Sequence, residues 1–235
     1  MILFCLSYAG GSSSIYKKWE KYLDPFIKLY PIELKGRGTR FSEICCDNLD
    51  SNVSDIINSI RFILSDNIEY AILGHSMGSL LAYEVYYKIA SLGLPLPKHI
   101  FFSGYKPPHI PRNEERVYTL PDKGFLQKIS EYGGTPPEIL NNKELLEIFL
   151  PVLRNDFKSI DTYKYIERDS KINCDISVLS GDDDDITADE LVQWKYHTSK
   201  SCNIYIVEGN HFFINSNFIK VIPIVNKTLY KYVNN

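Results

Sequence analysis

The sequence predicts an α/β protein in which a mainly parallel sheet is covered by helices on both faces. Short apolar runs alternate with amphipathic helical patterns along most of the chain, which is typical of folds built from successive strand–helix–strand units. The turn between one such strand and the next helix, residues 74–78, reads GHSMG. It would place a serine at the carboxyl end of the sheet, where these folds bind ligands. The length of 235 residues suits a single domain with an insertion.

The predicted elements follow one another in order from the N-terminus. Strands, each a short apolar run, are predicted at residues 2–7, 27–34, 69–73, 99–103, 176–180 and 204–207. Helices, in which apolar residues recur at helical spacing, are predicted at residues 15–23, 53–64, 79–85, 188–196 and from about 218 onward. Strands that alternate with helices in this way leave the loops at their carboxyl ends on one edge of the sheet.

Residues 105–173 interrupt this alternation. The segment opens with prolines at 107, 108 and 111, and contains helical patterns near residues 125–132 and 143–158 without a clear strand. An insertion at this place would lie over the carboxyl ends of the strands. We therefore predict a helical lid within a single domain of residues 1–235. The alternative is a second structural subdomain with no gating role.

Composition excludes several classes of partner. A net charge of −3 and a pI near 6.0 provide no basic field for nucleic acid or an anionic membrane. No apolar stretch reaches the length of a membrane span, and the apolar N-terminus lacks the preceding positive charges of a secretory signal. Five cysteines, an odd number, favour reduced thiols over a disulfide framework. We expect a soluble, cytoplasmic protein with no nucleic-acid or membrane partner.

Ser76 in the GHSMG turn is the candidate nucleophile. A serine on a tight strand-to-helix turn needs small residues two positions before and after it, and Gly74 and Gly78 meet this need. The helix that follows would direct its first amides at the site and stabilise a negative charge developing on a substrate oxygen. The alternative is a chance match, because two glycines and a serine form a weak pattern without the flanking strand and helix.

A nucleophilic serine needs a histidine to accept its proton and a carboxylate to orient that histidine. His211 is the candidate base, because it follows the predicted strand 204–207 after a short turn at residues 208–210 and comes last in the chain order serine, acid, histidine. The alternative is a structural histidine.

The other four histidines are less suitable. His75 lies inside the GHSMG turn, which we call the elbow, and is predicted to pack against its neighbours. His99 begins a strand at the opposite edge of the sheet. His197 lies late in a polar helix and is expected to be solvated. His109 follows a strand but lies at the proline-rich start of the insertion, with no carboxylate at a comparable strand end beside it.

Four aspartates at residues 182–185 follow Gly181, after the predicted strand 176–180. Only one carboxylate needs to reach the imidazole. The others fit a solvated turn whose last member helps to cap the next helix. Composition and spacing alone do not choose among the four.

Nearly the whole chain resembles the stand-alone type II thioesterases that serve nonribosomal peptide and polyketide synthases, which belong to the α/β-hydrolase superfamily. Besides the elbow, the matching motifs are YAGG at residues 8–11, GRG at 36–38 with Arg40, LPD at 120–122, GGTP at 133–136, FLPVLRNDF at 149–157, Trp194 and GNHFF at 209–213.

The resemblance implies residue roles. It places the acid at Asp184, with Asp182, Asp183 and Asp185 as fallbacks, and it assigns the oxyanion hole to the amides of Ala9 and Met77. It implies hydrolysis of acyl or aminoacyl thioesters on the phosphopantetheine arm of acyl or peptidyl carrier protein domains, with no metal and no organic cofactor.

The sequence also departs from the family pattern. Ser7 and Lys35 stand where prolines are usual, and Asn210 replaces a usual glycine next to the candidate base. None of these changes removes a catalytic group. Relatives commonly carry a leader before the first matched strand, so an edge strand is expected to be absent.

The sequence is also compatible with two alternative functions. A carboxylesterase of the same fold would act on oxygen esters of small molecules, although the motifs within the insertion speak against it. A non-catalytic carrier-binding protein would keep the fold without activity, although Ser76, Asp184 and His211 are all present.

Overall fold

The computed structural model describes residues 1–64, 68–111, 116–135, 138 and 142–232. Its strands are β1 (Ile2–Leu6), β2 (Lys28–Pro31), β3 (Tyr70–His75), β4 (His99–Ser103), β5 (Asp175–Asp183) and β6 (Cys202–Asn210). They form one sheet in the order β2-β1-β3-β4-β5-β6, and every neighbouring pair is parallel. Because parallel strands end at the same edge, the loops after β1, β3, β5 and β6 meet there.

The α-helices in the described residues are α1 (Leu49–Ile60), α2 (Met77–Ser91), α3 (Asp122–Tyr132), α4 (Lys143–Asp161), α5 (Ala188–Leu191), α6 (Phe213–Ser216) and α7 (Phe218–Tyr230). Turns of 3-10 helix occupy Ser13–Lys21, Gly38–Arg40, Val117–Thr119 and Val192–His197. The predicted α/β class with a mainly parallel sheet is confirmed.

Alternate residues of the central strands pack against helices on opposite faces of the sheet. On one face, Phe4 and Ile72 join a core with α1 and α2, and on the other, Leu3 and Leu73 join a core with α7. All six residues of β3 are buried, because this strand is central and covered on both sides.

Besides shifts in the bounds of several elements, three segments differ from the prediction in their kind of secondary structure. Residues 13–21 form 3-10 turns where an α-helix was predicted, and the predicted helix 188–196 is α5 followed by 3-10 turns. The predicted turn at residues 208–210 belongs to β6, because Asn210 still pairs with Asp183 beyond a register shift. Apolar periodicity marks the buried part of a strand and misses such a polar extension.

The described part of the segment between β4 and β5 contains no named strand and builds its own apolar cluster from Val117, Phe125, Ile129, Leu153 and Phe157. Near the site, a Cβ added to Gly134 would lie 2.2 Å from Cζ of Phe212, so this segment rests on the residue that follows His211. Whether the segment opens and closes as a lid stays a prediction.

None of the helices in the described ranges combines the length and the apolar character that crossing a membrane requires.

Candidate active site

Ser76 lies at the sharp turn from β3 into α2, with φ 54° and ψ −118°. It is the only non-glycine residue with positive φ in the described chain, so its backbone is strained as a nucleophile elbow requires. The flanking glycines allow this turn. A Cβ at Gly74 would lie 2.0 Å from the carbonyl oxygen of Gly78, and a Cβ at Gly78 would lie 2.2 Å from the carbonyl oxygen of Leu6.

His211 lies directly after β6, with its imidazole between Ser76 and Asp184. Its Nε2 is 3.0 Å from Ser76 Oγ, and its Nδ1 is 3.0 and 3.2 Å from the two carboxylate oxygens of Asp184. When Nδ1–H donates to the carboxylate, Nε2 is free to accept the serine proton. The structure therefore brings together the three residues predicted as nucleophile, base and acid, in the geometry that this chemistry needs.

The four aspartates at residues 182–185 differ in how far their side chains are buried. The Asp184 side chain is 5% exposed, whereas residues 182, 183 and 185 are exposed. Asp182 accepts the backbone N–H of Gly209 at 2.8 Å and so joins the ends of β5 and β6. The register shift between β5 and β6 occurs at this place, and such bulges redirect the residues that follow them. Of the four aspartates, Asp184 is the one for which the structure shows hydrogen bonds to the imidazole.

The predicted oxyanion residues lie just beyond the ends of two neighbouring strands, β3 and β1. Met77 is the first residue of α2, so its N–H is among the first-turn amides that have no partner within the helix. Ala9 follows β1, in a turn where Gly11 N–H donates to the Tyr8 carbonyl at 2.9 Å. Their roles in catalysis stay predictions.

Buried polar residues support the elbow from beneath. Ser79 Oγ lies 2.7 Å from the Gly74 carbonyl and 2.9 Å from the Ser103 carbonyl, and its hydroxyl donates to these oxygens. The same oxygen accepts the Ser103 N–H at 2.8 Å. His75 is fully buried, as predicted, with its Nδ1 2.8 Å from Ser103 Oγ. Burial, together with the nearby His211, holds the pKa of His75 well below its usual value. His75 is therefore neutral beneath the candidate base.

The expectation that His197 is solvated is wrong. It is 6% exposed, with its Nε2 2.6 Å from His109 Nδ1 and its Nδ1 3.2 Å from the Tyr83 hydroxyl. Burial, followed by the nearby His109, lowers the pKa of His197 to about 4. A polar local sequence hid this burial, because the covering groups come from α2 and from the start of the insertion. His99 begins β4, away from the site, as predicted.

Sequence reasoning missed the buried ion pair between Arg37 and Asp156. The guanidinium donates to the carboxylate through two bonds of 2.6 and 2.7 Å, and Asp156 also accepts the N–H of Gly10 at 2.7 Å. Both residues lie in motifs that carried the family resemblance, which was the available signal. Their separation of 119 positions in the sequence concealed the contact.

No group of three or more histidine, cysteine, aspartate or glutamate side chains within the described ranges is arranged to hold a metal ion.

Comparison with known proteins gives consistent matches over nearly the full length. The sequence model of the thioesterase domain family matches residues 1–229. A protein named linear gramicidin dehydrogenase LgrE, from Brevibacillus parabrevis, is 34% identical over 99% of this chain and 89% of its own. The gramicidin S biosynthesis protein GrsT, from Aneurinibacillus migulanus, is 33% identical over 97% of this chain and 88% of its own.

Among solved structures, the crystal structure of ClbQ from the colibactin nonribosomal peptide/polyketide pathway is similar throughout. It is 35% identical, has a TM-score of 0.93, and the match covers 98% of this chain and 97% of ClbQ.

Proposed function

The chain belongs to the thioesterase domain family, and from that membership we propose that it hydrolyses acyl or aminoacyl thioesters held on the phosphopantetheine arm of carrier proteins. It is a serine hydrolase of nonribosomal peptide or polyketide biosynthesis, and its task is the editing or release of stalled and misprimed chains. The observation that carries the proposal is the hydrogen-bonded chain Ser76–His211–Asp184 at the strand ends. The family match over nearly the full length of the sequence supports it.

Acylation begins when Ser76 Oγ attacks the thioester carbonyl carbon while His211 Nε2 takes the hydroxyl proton. The carbonyl oxygen becomes an oxyanion that the N–H groups of Ala9 and Met77 stabilise. Asp184 holds the imidazole in the required tautomer and stabilises the imidazolium. The C–S bond then breaks, the pantetheine sulfur leaves with the proton from His211, and an acyl ester remains on Ser76.

Deacylation uses the same groups with water as the nucleophile. His211 takes a proton from the water as its oxygen attacks the ester carbonyl, and the same two amides stabilise the second oxyanion. The C–O bond to Ser76 breaks, His211 returns the proton to Oγ, and the free acid leaves. His75, neutral and buried beneath His211, adds no second positive charge when the imidazolium forms.

The name of LgrE indicates a dehydrogenase. We propose hydrolysis because the strand-end residues are arranged as nucleophile, base and acid and because the matching family model is that of a thioesterase. If turnover required a nicotinamide cofactor, and if the product were an aldehyde or alcohol in place of the free acid, the result would favour a dehydrogenase.

The substrate class is tested by comparing hydrolysis of an acyl-carrier thioester with that of the matched small-molecule oxygen ester. We expect a higher kcat/KM for the carrier substrate, and a series of acyl chain lengths on the carrier would then define specificity. A higher kcat/KM for the oxygen ester would instead support a carboxylesterase.

The nucleophile is tested with a labelled fluorophosphonate and with Ser76→Ala. We expect the parent protein to be labelled and the variant to be inactive and unlabelled while remaining folded, because one hydroxyl contributes little to packing. Ser91→Ala, at the exposed end of the same helix, is the matched control and should keep full activity. A protein that neither reacts with the probe nor cleaves thioesters would support a non-catalytic carrier-binding role.

We propose a cytoplasmic location for this enzyme. The cysteine pattern supports it, because all five cysteines, including the adjacent Cys45 and Cys46, are free thiols.

A further inference from the structure

The conformation of the turn that carries Ala9, residues 8–11, depends on contacts from outside the turn. Gly11 N–H closes the turn on the Tyr8 carbonyl, and Gly10 in the third position has φ 76°, as a type II turn requires. A glycine adopts negative φ about as readily as positive φ. The peptide between Ala9 and Gly10 could therefore flip, which would reverse the Ala9 carbonyl and the Gly10 N–H and change the shape of the turn that carries the Ala9 N–H.

Helix α4 selects one of these conformations through two contacts with Gly10. Asp156 Oδ2 accepts the Gly10 N–H at 2.7 Å, which fixes the orientation of the central peptide of the turn. Leu153, one helical turn earlier, packs so closely that a Cβ added to Gly10 would lie 2.3 Å from its Cδ2. The two side chains share one face of α4 because they are three residues apart.

Arg37 holds the Asp156 carboxylate in place. Its two terminal nitrogens donate at 2.6 and 2.7 Å, and Nη1 also lies 3.4 Å from the Gly11 carbonyl, which accepts from Ser7 Oγ at 2.9 Å. Arg37 is 6% exposed and Asp156 is fully buried. Burial would lower the pKa of Arg37, but the adjacent Asp156 raises it above its usual value, so the guanidinium stays charged. A bidentate pair that also accepts an amide has the complete bonding that a buried ion pair needs.

We propose that Asp156 is a positioning residue for the oxyanion hole. By fixing Gly10 it holds the whole turn in one shape and place, and with it the Ala9 N–H that faces the substrate oxygen, so that turnover requires the second half of helix α4 to remain packed on this turn. The inference rests on the proposed function, because Ala9 is assigned to the oxyanion there. It goes beyond that function by making a helix of the inserted segment part of the catalytic geometry.

The test compares two double variants that both remove the buried charges. Arg37→Met with Asp156→Asn keeps an oxygen that can accept the Gly10 N–H, whereas Arg37→Met with Asp156→Leu keeps similar volume without an acceptor. We expect the first to stay within about tenfold of the parent kcat. The second should lose on the order of 10² to 10³ in kcat, as for loss of an oxyanion donor, with KM for the acyl carrier unchanged.

A second measurement separates positioning from simple stabilisation. A trifluoromethyl ketone analogue of the substrate forms a tetrahedral oxyanion on Ser76, whereas a non-hydrolysable thioether analogue mimics only the ground state. We expect the Asp156→Leu double variant to lose affinity for the ketone by the same factor as kcat and to keep its affinity for the thioether. Free energies of unfolding are measured for both double variants.

Asp156→Glu provides a variant that leaves no unpaired buried charge. It keeps the pairing with Arg37 but displaces the carboxylate by one methylene from Gly10, so we expect reduced kcat and reduced ketone affinity in a folded protein. Equal kcat and equal ketone affinity in parent, Asp156→Glu and both double variants would overturn the inference, as would a loss confined to KM. If Ser76→Ala also turned over substrate, the proposed function itself would fail, which is a separate outcome.

Discussion

Asp184 differs from its three neighbours in burial and in its contact with His211, and not in residue type. Its carboxylate is 5% exposed and bonded to Nδ1, whereas Asp182 bonds the backbone of Gly209. Four consecutive aspartates therefore have different surroundings. Substituting them one at a time tests which of them orients His211.

Asp184→Asn should lower kcat by a factor on the order of 10⁴, because an amide at this position stabilises the wrong imidazole tautomer and cannot stabilise the imidazolium. The measurement is kcat on an acyl-carrier thioester.

Asp182→Asn is the matched control for that prediction, since it lies in the same turn and keeps an oxygen for Gly209 N–H. It should lose far less, as should Asp185→Asn. A severe loss at Asp183→Asn with a mild one at Asp184→Asn would move the acid by one residue.

At the scale of elements, helix α2 lies unusually close to β1 and β3. The carbonyl oxygen of Leu6 lies 2.2 Å from the position that a Cβ of residue 78 would take, so this contact is with the backbone and no side chain can move to relieve it. The elbow that exposes Ser76 thus depends on how near α2 comes to the sheet.

Gly78→Ala should destabilise the protein by about 1–3 kcal/mol through overpacking and should lower kcat by shifting α2. Chemical denaturation and turnover check both effects. Gly124→Ala in helix α3 is the control, because among the described residues the nearest atom outside that helix's own backbone, Leu120 Cβ, would lie at 3.8 Å from the added Cβ. It should be neutral or stabilising by up to about 1 kcal/mol, since alanine favours the helix. If the two variants had the same stability, close packing at residue 78 would not be limiting.

The two halves of helix α4 differ in their contacts. Before Pro151, Leu145 and Ile148 are exposed, at 37% and 45%. After it, Asn155 donates to the Cys46 carbonyl at 2.6 Å and Asp156 bonds Gly10. If the inserted segment moves as a lid, we therefore expect the part of α4 before Pro151 to move and the part after it to stay in place.

Hydrogen exchange should be faster in α3 and in the first half of α4 than in the buried strand β3, because these helices bury less apolar surface. Binding of an acylated carrier should slow exchange there, while the half of α4 after Pro151 stays protected in both states. Uniform protection that the carrier leaves unchanged would identify the segment as a structural subdomain.

For the whole molecule, three buried histidines connect stability to pH. Burial keeps the pKa of His75 well below its usual value, that of His99 at about 3 and that of His197 at about 4. Below pH 6.5 these residues take up a proton in the unfolded chain but not in the folded one. Their contribution to stability is therefore complete above about pH 6.5 and is lost as the pH falls.

The free energy of unfolding should fall between about pH 6.5 and 4, by up to about 1.4 kcal/mol per pH unit for each histidine. Urea denaturation at several pH values measures this slope. His99→Gln should make the slope shallower. Asp175, whose pKa is lowered to about 2 because Lys231 and other donors outweigh its burial, affects stability only below about pH 4. A slope that is the same in parent and His99→Gln would exclude this assignment.

Local sequence patterns determined the order of strands and helices, the parallel class of the sheet, and the positions of Ser76 and His211 at strand ends. They could do so because apolar periodicity and turn residues act over a few neighbouring positions. Resemblance to a family was needed to prefer Asp184 among four equal candidates. The structure then brought this residue against His211, while the catalytic roles of all three await the variants above.

Only the tertiary structure decided which distant groups share a buried environment. Asp156 contacts Arg37 and Gly10 across 119 and 146 residues of chain, and His197 is buried by side chains from other elements. The physical reason is that the burial of a polar side chain depends on what packs over it from elsewhere in the chain. Desolvation then sets both its pKa and the hydrogen bonds that it must make.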